Sequence, residues 1–120
     1  MTAQLFTKAQ MQALLDNGRK SKQARRRGVR FDPEPVVKLF IPDAAATWLL
    51  SEIDPDTRDI AFGLCDLGLG FPELGSVSLA EIRALRGRLG LPVERDLHFV
   101  ADRTLSEYAK AARAAGRITA

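Results

Sequence analysis

Asp66 and Glu73 flank a loop of alternating leucine and glycine, and the only cysteine, Cys65, immediately precedes Asp66. Two carboxylates returned to one place by a loop can act as general acid and base, or hold a hard cation. The same residue types, placed where a strand ends, also cap backbone N–H groups or simply face water. No histidine stands near enough in sequence to complete a catalytic set, and the lone His98 sits in L-H-F-V without an obvious partner. Cys65 lies inside an apolar, alternating run, with no cation beside it to stabilise a thiolate, so an inert, core-facing thiol is expected. Gly68, Gly70 and Gly75 are spaced G-x-G-x-x-x-x-G. That is neither the dinucleotide fingerprint nor a phosphate-binding Gly-Lys-Ser/Thr loop, so the glycines read as turn chemistry. One histidine and one cysteine exclude a zinc constellation and an internal disulfide. No metal site and no cofactor are expected.

The second chemical feature is charge. Arg19, Lys20, Lys22, Arg25, Arg26, Arg27 and Arg30 fall in a stretch that contains no acidic residue. Without these seven, 11 basic residues face 15 acidic ones, so the basic character is one segment on a mildly acidic chain. Such a segment suits phosphate contacts. It carries no interleaved aromatic for base stacking, and the chain shows no familiar DNA-binding motif.

The elements that must position these residues can be read from local signals. Thr7 and Gln10 form a capping box, with Phe6 and Met11 as a hydrophobic staple. A helix is expected from Thr7 to about Asp16, stopped at Asn17-Gly18, with the basic segment at 19–30 an exposed or loosely helical arm. Asp32-Pro33-Glu34-Pro35 forces an extended linker. Val36–Ile41, Ile60–Leu67 and Leu74–Ser78 read as strands; Ala46–Ile53 fits a short helix or a strand by its period, and the turn Asp54–Asp59, which joins it to Ile60–Leu67 as a hairpin, favours the strand. Ser78 with Glu81 opens a second helix carrying Ile82, Leu85 and Leu89, which Gly90 and Pro92 end. Leu97–Val100 fits a short edge strand, and Thr104 with Glu107 opens a third helix that ends at Gly116. The order implies one α+β domain over residues 1–120, with an antiparallel sheet of about four strands covered on one face. One helix precedes the sheet and two follow it. No apolar run is long enough to cross a membrane, and the N-terminus lacks a signal segment, so a cytoplasmic protein is expected.

Four blocks, P-V-V-K-L-F-I-P-D-A-A-A-T-W-L-L-S-E-I-D-P, D-I-A-F-G-L-C-D-L-G-L-G-F-P-E-L-G, S-L-A-E-I-R-A-L-R-G-R-L-G-L-P-V-E-R-D and the late A-R-A-A-G, carry a resemblance. Together they resemble the bacterial domain-of-unknown-function family twenty-nine fifty-eight, over nearly the whole chain. The resemblance implies a small stand-alone protein of plasmids and other mobile elements, often encoded near antirestriction genes. It brings no reaction, cofactor or site residue with it. The expectation is a non-enzymatic accessory protein, an anti-defence protein included, that binds a host protein or a protein–nucleic-acid complex. Its working surface is expected at the Asp66–Glu73 loop, supported by the basic arm. A nucleic-acid-binding regulator using the arm, or an enzyme or cation site at Asp66 and Glu73, are the alternatives.

Overall fold

The computed structural model describes residues 5–120; the first four, with which the N-terminal reading begins, lie outside the described residues. Among the described residues three helices, α1 (Lys8–Arg27), α2 (Leu79–Ala84) and α3 (Leu105–Ala115), accompany five strands. These are β1 (Val37–Phe40), β2 (Thr47–Ile53), β3 (Ile60–Asp66), β4 (Glu73–Ser78) and β5 (Glu94–Arg95). The strands form one antiparallel sheet in the order β4-β3-β2-β1-β5. The α+β class and the four expected strands are present, and β5 adds a short fifth at the β1 edge.

Both faces of the sheet are covered, rather than one. Alternation along β2 sends Trp48 and Leu50 to one side and Leu49 to the other. On the first side they meet Leu14 and Leu15 of α1 with Leu79 and Ile82 of α2. On the second, Leu49 and Leu64 meet Leu105, Tyr108, Ala109 and Ala112 of α3. A chain of this length supports a two-sided core because the central strands carry large apolar residues at both parities.

The first helix does not stop at Asn17-Gly18. It runs through the basic segment to Arg27 and ends in a left-handed Gly28 (φ 67°), where the Val29 amide donates to the Ala24 carbonyl at 2.9 Å. The expected stop is instead the docking point of α1. Asn17 Nδ2 donates to the carbonyl of Ser51 at 2.9 Å, and Ser51 is the extra residue of a bulge between Leu50 and Glu52. A Cβ on Gly18 would stand 2.0 Å from the carbonyl oxygen of Ile53, so only glycine lets the helix axis approach β2 this closely. Packing overrides the stop signal of Asn17-Gly18, with Ser21 and Ala24 buried, and the good helix formers beyond it carry the helix on.

The second helix is shorter than its apolar spacing implies. Ser78 Oγ accepts from the Glu81 amide at 3.3 Å, as expected of the cap. The helix nevertheless ends at Ala84, and Leu85 is extended. The Gly87 amide pairs with the Leu91 carbonyl at 2.9 Å, folding residues 86–92 into a tight turn against Asp43 of the β1–β2 loop. Leu89 is therefore exposed rather than on a core stripe. Leu97–Val100 is not a strand either. The edge pairing is made by Glu94 and Arg95 with Phe40 and Leu39. Asp96 then turns the chain, its carboxylate accepting from the His98 amide at 2.8 Å.

Candidate binding surface

Asp66 and Glu73 do not converge. Cys65 pairs opposite Glu73 across β3 and β4, so Asp66, one residue on, projects to the other sheet face. There Asp66 is 3% exposed. It accepts from the Gly68 amide at 2.8 Å and from the Ile118 amide at 2.9 Å. Asp66 thus ties the start of the loop to the chain beyond α3, while Glu73 faces solvent. Among the described residues no group of three or more His, Cys, Asp or Glu is arranged to hold a metal ion. Cys65 is half-buried against the α1 side of the core, and burial pushes its thiol up to about 11.

Between those carboxylates the loop presents apolar side chains. Leu67, Leu69 and Phe71 are 60%, 73% and 79% exposed. Gly68 (φ 80°) and Gly70 (φ 85°) take left-handed conformations that β-carbon residues resist, and they separate the three apolar residues from one another. The loop base is anchored by Asp66 and by the buried Pro72. Gly68 lies against Ala45 of the β1–β2 loop, and Asp43 of that loop holds the turn that carries Leu89. Three loops therefore gather at one end of the sheet and expose large apolar groups there. The apolar spacing gave no sign of this: L-G-L-G-F has the period-2 alternation of a half-buried strand, and only its glycines and Pro72 mark it as a loop.

The basic residues divide by partner. Lys22 is neutralised beneath α1 by Asp54, at 3.1 Å, and by Asp56. The Asp56 amide and the Lys22 ammonium hold the Asp54 carboxyl below its ordinary range, and Asp56 with Asp54 raises Lys22. Arg19 meets Asp16 at 2.8 Å on the surface, and Arg30 stands 3.9 Å from Asp32. Lys20, Arg25, Arg26 and Arg27 are exposed. Arg25 also lies over Glu52, whose carboxyl burial raises against the opposing effects of Ser21 and Arg25. Asp32 itself caps α3, accepting from the Ser106 amide at 3.0 Å.

A cavity of about 370 Å³ lies between β1 and α3, lined by Lys38, Asp96, His98, Asp102, Arg103 and Tyr108 among others. Five of its side chains pair with one another. Asp102 accepts from Tyr108 Oη at 2.8 Å and from Arg103 Nε at 3.0 Å, and these bonds, Arg103 first, hold its carboxyl low. Lys38 pairs with Asp96 at 3.5 Å. Arg103 stacks over the Tyr108 ring, 5.2 Å from its centre.

Among the described residues no helix is long and apolar enough to cross a membrane. No curated protein and no solved structure matches the chain. A family model described as "Protein of unknown function (DUF2958)" matches residues 5–119, a span that includes both cores, the apolar loop and the basic helix. The chain belongs to the DUF2958 family.

Proposed function

We propose that this protein is a non-enzymatic binding protein that docks a host protein on the β3–β4 tip. The observation that carries this is the exposure of Leu67, Leu69 and Phe71 on a loop whose base is pinned by the buried Asp66. Apolar groups on a loop whose base is anchored lose less backbone freedom on docking, and aromatic and leucine anchors fill partner pockets. The expected loop is thus the working surface, with apolar residues in place of its carboxylates as the contacts. The family resemblance adds context: for an accessory protein of a mobile element, the partner is a cytoplasmic host protein or protein–nucleic-acid assembly, defence components among them.

The test is affinity capture from a bacterial host lysate, followed by titration of the recovered protein in purified form. Wild type is expected to retain a defined partner that binds with one-to-one stoichiometry. Leu69→Ser/Phe71→Ser should weaken that binding at least tenfold while leaving the melting temperature unchanged, because both side chains are already in water. Equal affinity of wild type and variant sinks the proposal, as does sedimentation showing that the tip only joins copies of this chain.

A further inference from the structure

The helix α1 carries a second surface. Lys22 pairs with the β2–β3 turn, and Gly18 lies against the last residue of β2. The cationic half of α1 therefore occupies the end of the sheet opposite the apolar tip. Leu14, Gly18 and Ser21 are its buried seam. At 100° per residue, Arg19, Lys20, Gln23, Arg26 and Arg27 fall within about a third of the circumference, on the side away from that seam. Arg19 and Arg26, like Lys20 and Arg27, are seven residues apart, which sets them two turns and about 10.5 Å apart along the axis.

The carboxylates at this end do not share that side. Asp54 and the exposed Asp56 are paired with Lys22, Glu52 is turned to Arg25, and Asp32 is engaged at the start of α3. Among the described residues Asp16 is the one carboxylate in an ion pair with the outer face, through the exposed pair with Arg19, and such a pair holds its partner only weakly. The negative end of the helix dipole favours Arg25, Arg26 and Arg27 in the last turn. It gives no reason for Lys20 one and a half turns earlier, nor for Arg30 beyond the cap.

We propose that this outer face of α1 binds the sugar–phosphate backbone of duplex nucleic acid without reading its sequence. The surface is mainly guanidinium, whose planar fork matches phosphate oxygens. It stands on a helix of 20 residues, about 30 Å long and capped at both ends, so the cations are held in line. The helix contains no aromatic residue, so it offers no platform for stacking single-stranded bases. Four or five cations are available to phosphates, which corresponds to a log–log salt slope of roughly −4 on duplex DNA.

The experiment is fluorescence anisotropy of a mixed-sequence 20-base-pair DNA duplex, titrated between 50 and 200 mM salt. Two variants of equal charge are compared, Arg26→Ala/Arg27→Ala on the ridge and Lys110→Ala/Arg113→Ala on α3. The ridge variant should weaken binding and reduce the salt slope by about 1.8, one phosphate contact per arginine. The α3 variant should bind and respond to salt like wild type, and both should melt within a degree or two of it. Equal losses in the two variants would reduce the effect to net charge and overturn the proposal. No binding at 50 mM salt overturns it too. So does displacement of the duplex by polyglutamate at equal charge concentration, which would assign the face to an acidic protein.

Discussion

Asp66 and Cys65 are neighbours with opposite fates, and each is testable on its own. The Asp66 carboxylate is the acceptor for two amides from distant parts of the chain. Asp66→Ala strands both donors, and a charged acceptor lost from a buried site costs about 2–4 kcal/mol by guanidinium denaturation. Amide exchange at Ile118 should rise with it, whereas an unchanged stability would show that the bonds are incidental. For Cys65, a thiol at about 11 has on the order of one part in a thousand as thiolate at pH 8. Alkylation of the native protein should be slow at pH 8, climb as the pH approaches 11, and become fast at pH 8 only on unfolding. Equal native and denatured rates would contradict it. The half-buried, cation-free setting of Cys65 was legible because the sequence places no cation near it. The role of Asp66 was not, because one of its donors, Ile118, lies 52 residues away in the chain.

At the scale of elements, local signals located starts better than stops. The caps at Thr7, Ser78 and Thr104 all stand where the sequence put them, since a cap is satisfied within three residues. Asn17-Gly18 and the Ile82–Leu89 stripe misled because their outcome depends on what packs against them. Gly18 makes the sharpest prediction. In an exposed helix interior, glycine to alanine gains about 1 kcal/mol from propensity. Here Gly18→Ala drives a methyl group into the Ile53 carbonyl, and forced displacement of a packed element typically costs about 1–3 kcal/mol. Thermal or chemical denaturation distinguishes the signs directly. A stabilised Gly18→Ala would show that α1 rides free of β2, and the basic ridge would then lack its rigid mount.

Over the whole molecule, two exposed surfaces of opposite chemistry lie at opposite ends of one sheet, and the core between them contributes to neither. They should behave independently, since distant sites with no shared partner are additive. Leu69→Ser/Phe71→Ser is expected to leave duplex affinity and its salt slope at wild-type values. Arg26→Ala/Arg27→Ala is expected to leave the affinity of a purified protein partner unchanged in the absence of nucleic acid. Loss of both bindings in either variant would mean one continuous surface instead of two. Composition, hydrophobic period and caps were enough for the α+β class, the order of the main strands along the chain, a cysteine without a neighbouring cation and the existence of a cationic segment. All of these are set by neighbours within a few residues. Tertiary structure alone decided that the cations form a helical ridge, that Lys22 is spent on the β2–β3 turn, and that Asp66 serves the backbone. It also decided that the glycine-rich loop offers leucines and a phenylalanine where its carboxylates had seemed the active groups. Each of those outcomes turns on which groups from distant parts of the chain meet, and period and spacing do not encode that.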